Sequence, residues 1–253
     1  MKNNFEKTLP GGPGFKKNKE TKKLENPEID RLEKPTEVIL EKILGNIERG
    51  EYDLIIGADA SGRIPTLVFK KFIDYVYQKL GYPLPKTRFL AGAGMGLRDK
   101  EIAKKAEESF LPYKRGGAKE YIEKFSPKRV LIVEDTIVRG SSIHFLCEIL
   151  NKMRTPFDIV SISSYQNNED LETTRAYLGA QNIYVGTAES IGIYGSRHLS
   201  GVRKEREQVF SRPYKQEISR EDEKLSIQKK INQARKDIDI VTGRIIDWYE
   251  SQK

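Results

Sequence analysis

Two neighbouring carboxylates, Glu134 and Asp135, stand just ahead of Arg139-Gly140-Ser141-Ser142 in the run Arg129–Ile143, RVLIVEDTIVRGSSI. Paired carboxylates grip hydroxyls or a cation. A short turn of small residues offers backbone N–H groups and hydroxyls to an anion, and the helix it opens adds the positive end of its dipole. Acids beside such a cradle repel a bare phosphate but suit a ligand that also carries hydroxyls. The combination therefore points to a sugar phosphate. A second cradle lies upstream, where Gly57, Ala58, Asp59, Ala60, Ser61 and Gly62 are followed by Arg63. Small residues here let backbone amides come close to an anion, and Arg63 supplies positive charge.

Both turns need a strand to deliver them and a helix to receive them. Val130, Leu131, Ile132 and Val133 are apolar without alternation, the pattern of a strand covered on both faces in a parallel sheet. The spacing predicts that this strand ends at Glu134 and Asp135 and that an amphipathic helix covers Ile143–Leu150. Leu54–Ile56 repeats the strand pattern, and Pro65 opens a helix reaching Leu80. Thr87–Ala91, Asp158–Ser164 and Asn182–Val185 read as further strands. Helices are predicted over Thr36–Arg49, capped by Thr36 behind Pro35, and over Ala118–Phe125 and Leu171–Leu178. Strands alternating with helices give an α/β fold, a doubly wound and mostly parallel sheet. Ligands of such sheets bind beyond the carboxyl ends of the strands, where both turns fall.

Composition sets the frame. The 253 residues suffice for one core with extensions, and 32% charged against 37% apolar residues implies polar appendages around it. A formal net charge of +8 favours anionic ligands. Nucleic acid is the less favoured reading of that charge, because many basic chains are merely soluble. The single cysteine, Cys147, excludes an internal disulfide pair and a multi-cysteine zinc site, and its place in a helix reads as core. No stretch nears the roughly 18 apolar residues of a membrane span, and no signal-peptide run opens the chain, so the expected compartment is the cytoplasm.

EDTIVRGSSI resembles the phosphoribosyl-pyrophosphate (PRPP) motif of the type I phosphoribosyltransferases, and its Ile-Val-Arg-Gly centre is most similar to that of the glutamine amidophosphoribosyltransferases. The upstream turn resembles the pyrophosphate loop of the same family. The resemblance implies that Arg139, Gly140, Ser141 and Ser142 hold the 5′-phosphate. It implies that Glu134 and Asp135 take the ribose hydroxyls, and that residues 58–63 with a magnesium ion (Mg2+) steady the departing pyrophosphate, the two acids touching the metal directly or through water. Glu134, Asp135 and Arg63 are then the catalytic candidates, and phosphoribose passes to a nucleobase or another nitrogen acceptor. Where purine and orotate enzymes carry an aspartate this chain has Val138, so acid–base help at that point is absent or comes from elsewhere. The amidotransferases also carry a glutaminase domain with an N-terminal cysteine nucleophile, and these 253 residues have neither the length for it nor that cysteine, so acyl chemistry of that kind is not expected.

The resemblance further implies a flap within the segment 91–120, with Lys100, Lys104, Lys105, Lys114 and Arg115 as candidates to meet pyrophosphate. A hood over 186–213 would choose the acceptor, with Tyr194, Arg197, His198 and Arg203 as its candidate contacts. Three segments follow: a basic, flexible tail over 1–33, a phosphoribosyltransferase-like domain over 34–214, and an amphipathic helix over 215–253. In the last, Ile227, Ile231, Ala234, Ile238, Val241, Ile245 and Trp248 recur at coiled-coil spacing. That seam fits docking on its own domain or pairing with a second chain, and a homo-oligomer is expected. The helix reads as separate from the catalytic fold, so truncation after Ser219 is expected to spare ligand binding. The rival to an enzyme is a PRPP-sensing regulator of the same fold that binds nucleic acid or a protein partner.

Overall fold

Apolar runs that do not alternate must be covered on both sides, and the molecule is built around three of them. In the computed structural model, which describes residues 24–58, 60–90, 118–193, 197–204, 211–213 and 218–253, β1 (Leu54–Ala58), β3 (Val130–Ile137) and β4 (Phe157–Ser164) are buried along almost their whole length. With β2 (Lys86–Leu90) and β5 (Asn182–Thr187) they form a five-stranded, all-parallel sheet in the order β2-β1-β3-β4-β5. Residues 91–117 of the predicted flap segment, the tail to residue 23, Asp59 and Tyr194 lie outside the described residues.

Alternating side chains send the central strands into two cores. Ile55, Leu131, Val133, Val160 and Ile162 face α1 (Pro27–Asp30), α2 (Glu33–Glu48) and α3 (Arg63–Leu80). Leu54, Ile56, Val130, Ile132 and Ile159 face α4 (Ala118–Phe125), α5 (His144–Lys152) and the end of α6 (Asn168–Leu178). After β5 come a short helix, α7 (Arg197–Ser200), and an antiparallel pair, β6 (Val202–Lys204) with β7 (Ser211–Pro213). The chain ends in a 31-residue helix, α8 (Glu221–Ser251).

Two expectations are corrected, and one pair of alternatives is decided. The segment before residue 34 is not all a flexible tail, because Ile29 and Leu32 are fully buried and Asn26 donates two hydrogen bonds to Asp237 of α8, at 2.9 and 2.7 Å. Helix α2 begins at Glu33, so Pro35 sits in its first turn, where a missing N–H costs little, and Thr36 lies inside the helix instead of capping it.

The alternatives concern α8, whose seam fitted docking on its own domain or pairing with a second chain, and the first is what is observed. Its seam is spent at home: Ile227, Ile231, Ala234, Ile238, Val241 and Ile245 are all buried, the last four in the core shared with α2 and α3, and Trp248 packs on that core. Each buried Ile or Val is worth about 1.5–3 kcal/mol. The exposed pairs Lys79–Glu250, Lys253–Glu48 and Lys71–Asp239 are worth about 0–1 kcal/mol each. The apolar seam therefore dominates docking, and it is not left over to recruit a second chain. No helix among the described residues is long and apolar enough to cross a membrane.

Candidate functional site

The strand order reverses between β1 and β3. The chain leaves β1 toward β2 on one side and later returns to place β3 on the other, so the connections diverge and open a crevice at the carboxyl edge. Both predicted cradles leave that edge from neighbouring strands. β1 and β3 are paired in parallel from Leu54↔Val130 to Gly57↔Val133, so the turn after β1 and the turn after β3 start side by side.

The first turn is closed by its own backbone. The Gly62 N–H donates to the Ala58 carbonyl at 2.8 Å, and the Thr66 hydroxyl, one turn into α3, donates to the Gly62 carbonyl at 2.6 Å. A Cβ on Gly62 would lie 2.6 Å from the Ala58 oxygen and 2.7 Å from the Val133 oxygen. No side chain fits where this turn crosses onto β3. Ala58 and Gly62 are buried, while Ala60 and Ser61 are half-buried. Arg63 is the first residue of α3, with its guanidinium 4.3 Å above the Phe89 ring of β2. The charge expected for pyrophosphate is thus held at the β2 flank of the same edge.

The second turn differs from expectation where it begins. β3 does not stop at the acidic pair but runs through Glu134, Asp135 and Thr136 to Ile137. Pairing with β4 continues to Ile137↔Ser164 and keeps the strand going. Both acids are consequently buried, at 4% and 5% exposure, and strand alternation directs them to opposite faces of the sheet. Glu134 accepts a hydrogen bond from the Ser142 hydroxyl at 3.2 Å and so ties the strand to the turn it delivers. Asp135 lines a shallow crevice with Thr136, Ile162, Ser163, Ser190, Ile191, Gly192 and Ile193. The two acids therefore do not form one face, and Asp135 is the one that opens onto the crevice.

Beyond Ile137 the chain turns through an exposed Val138 and Arg139 into a buried Gly140 with φ of +68°, a left-handed conformation that glycine adopts without steric cost. A Cβ on Gly140 would come within 2.6 Å of the Leu178 side chain. Gly140 thus serves the seat of the turn against α6. The Ile143 N–H closes the turn on the Gly140 carbonyl at 3.1 Å, and α5 starts at His144. Ser141 is exposed and Ser142 half-buried, which leaves both hydroxyls near solvent at the opening of α5. Cys147, one turn into that helix, is pushed up to about 12, chiefly by burial and further by the Glu134 carboxylate, so it is no nucleophile at neutral pH.

Several residues at this edge were not singled out by motif. The Thr136 and Ser163 hydroxyls share a hydrogen bond of 2.8 Å across β3 and β4, and Ser163 donates onward to the Asp135 carbonyl at 3.3 Å. The sequence signal was the shift of β4 from apolar to hydroxyl residues, Ser161, Ser163 and Ser164. Ser190–Ile193 form the far wall of the crevice, inside the region expected as the hood. His144 stacks on Tyr177 with ring centroids 4.7 Å apart, at the start of the helix that the turn opens. Of the other hood candidates, Arg197 lies in α7 with His198, and Arg203 lies in β6.

Among the described residues no cluster of three His, Cys, Asp or Glu side chains forms a ready metal cage. A magnesium ion carried largely by substrate phosphates needs only one or two protein carboxylates, and the acid lining the crevice fits that mode. No family model matches the sequence, and no curated protein is similar to it.

Proposed function

We propose that this chain is a type I phosphoribosyltransferase-like protein that binds PRPP across the β1/β3 boundary and transfers its phosphoribose to a nucleobase or other nitrogen acceptor, releasing pyrophosphate. The observation that carries the reading is the strand order. It sets the two glycine-bearing turns on adjacent strands at one edge, so that one ligand can be held at both ends.

In this reading Arg139, Ser141 and Ser142 hold the 5′-phosphate at the opening of α5, with Gly140 fixing the turn. Asp135 accepts bonds from the ribose hydroxyls. Glu134 positions Ser142 as well as adding negative charge near the ring, which builds positive charge as its bond to pyrophosphate breaks. In the turn after β1, where the Gly62 N–H is already spent on the Ala58 carbonyl, Ala60 and Ser61 offer backbone amides to the pyrophosphate, and Arg63 balances its charge from the β2 flank. Magnesium, held by the phosphates together with Asp135 or Glu134, would add positive charge to the leaving group. Val138 brings no acid or base to the acceptor, so the acceptor is one that enters without proton removal at that point or finds another base.

The test is PRPP-dependent release of labelled pyrophosphate in the presence of a panel of nucleobases and simple amines. Release that requires one of them is the expected result. Tight PRPP binding by calorimetry with no release for any acceptor would move the protein to the sensor class, and no PRPP binding at all would remove the reading.

A further inference from the structure

The C-terminal helix packs along the whole height of the domain, and its two halves meet different things. Tyr249 donates to Glu48, the last residue of α2, at 2.9 Å, and Lys79 near the end of α3 bridges Glu250 at 2.6 Å. Helix α2 ends just before β1 begins and α3 ends just before β2 begins, so this half of α8 lies at the amino edge of the sheet. Eighteen residues earlier, about 27 Å along the helix axis, is Ile231. Its Cδ1 is the atom nearest the position a Cβ would take on Gly201, at 3.0 Å, and α7 packs on this same half of the helix.

Those contacts lie on the segment that walls the candidate site. Ile191 and Ile193, which line the crevice opposite Asp135 and Ser163, are buried in the same apolar cluster as Leu199 of α7 and Ala234 and Ile238 of α8. The wall itself offers little to hold it up. Residues 188–193 form no helix or strand, and Gly192 is exposed. A segment without its own ladder of backbone hydrogen bonds takes its position from what its apolar side chains pack on.

We infer that the amino-terminal half of α8 is a positioning element of the candidate site: Ile231, packed against Gly201 just after α7, sets the seat of α7 beside Ala234 and Ile238, and that seat holds residues 190–193 against the carboxyl edge beside Asp135. The inference rests on the proposed PRPP reading only for what is bound there, since the buttressing itself is independent of the ligand. It reverses the expectation that truncation after Ser219 would spare binding. The helix is then part of the site's construction, with its far half serving only to anchor it.

The experiment compares Ile231→Ala and Ile231→Val with Ile245→Ala, another buried residue of the same seam toward the amino edge, all in the full chain. Hydrogen–deuterium exchange of residues 188–202 is read without ligand, alongside the thermal midpoint and PRPP affinity by calorimetry. Ile231→Ala should speed exchange in 188–202 and lower PRPP affinity several-fold, with Ile231→Val restoring most of both. Ile245→Ala should lower the thermal midpoint while leaving exchange in 188–202 and affinity as in the parent. Unchanged exchange in Ile231→Ala, or equal loosening of 188–202 in Ile245→Ala, would overturn the inference. If the parent chain does not bind PRPP, the functional reading fails while the exchange result still decides the buttress. Should Ile231→Ala not fold, the smaller exchange increase expected of Ile231→Val carries the decision.

Discussion

The two edges of the sheet handle buried polarity in opposite ways. At the amino edge, Asp158 is fully buried and its carboxylate is closed by fixed partners: Tyr52 Oη at 2.7 Å, Arg129 Nε at 3.0 Å and Asn182 Nδ2 at 2.9 Å. Arg129 also bridges Glu51 at 2.8 Å, and Tyr77 donates to the Tyr52 carbonyl at 2.9 Å. Burial alone would lower Arg129, but the Asp158 carboxylate, with Tyr52 and Glu51 adding to it, offsets this and the guanidinium ends above its usual value. At the carboxyl edge, Glu134 meets a serine hydroxyl, Thr136 meets Ser163, and two turns are kept narrow by Gly62 and Gly140. One edge has its charge neutralised by the protein. The other combines acids, hydroxyls and close-approach glycines, a set suited to a ligand that brings its own charge.

If that contrast holds, changes at the amino edge cost stability and spare PRPP affinity, while changes at the carboxyl edge do the reverse. The largest effect is expected for Asp158→Ala. Removing one member of a buried ion pair costs about 3–5 kcal/mol, and the partial exposure of Arg129 puts this case near the lower end. Urea denaturation should show that loss, with PRPP affinity of the folded fraction unchanged by calorimetry. A matching loss of affinity would break the comparison by coupling the two edges.

Gly140→Val comes next. A β-branched residue at φ of +68° costs about 1–2 kcal/mol in backbone conformation, and its Cβ meets Leu178, so the turn must shift. PRPP binding should be lost from calorimetry while the urea midpoint moves only modestly. Retained affinity would separate this turn from the phosphate. Asp135→Asn is smaller. It keeps the shape of the crevice wall but removes the charge that strengthens hydrogen bonds to sugar hydroxyls, worth about 1.5 kcal/mol or tenfold in affinity. Unchanged affinity in a folded Asp135→Asn would assign the ribose to another residue.

Sequence pattern made the sheet legible but stopped short at its edges. Val130–Val133 and Leu54–Ile56 announce buried strands because both faces are covered. Where a strand turns polar, pattern mistakes composition for the end of the strand, as at Glu134 and Asp135; the pairing to Ser164 that extends it comes from a neighbour. The same limit hid the docking of α8, whose seam is identical whether it meets its own domain or a second chain. It also hid Ser190–Ile193, whose role depends on α8 more than on local residues. Arg129 and Asp158 could have been suspected as charged residues at the starts of two apolar strands, whereas Tyr52 carried no such signal. Their meeting is a property of topology, with Tyr52 and Asp158 lying 106 positions apart.

The smallest expected effect tests whether the amino-edge half of α8 is an anchor alone. Glu48 is held below the usual carboxylate value chiefly by its hydrogen bond from Lys253, with Tyr249 acting the same way, and Glu250 is lowered chiefly by Lys79 and then Tyr75. A carboxyl lowered by folding stabilises the native state fully above its unfolded value of about 4.3 and loses that contribution as pH falls through the folded value. Acid should therefore loosen the tip of α8 over residues 245–251, read by hydrogen exchange between pH 7 and about pH 3 with intrinsic rates corrected for pH. Glu48→Gln should remove part of that pH dependence, by a small amount because both acids are partly exposed at the surface. Residues 188–193 and 197–202, tied to the other half of the helix, should keep their protection as the tip frays. If they open with the tip at the same pH, the helix acts as one lever, and the division between an anchoring edge and a ligand-holding edge gives way to a single coupled body.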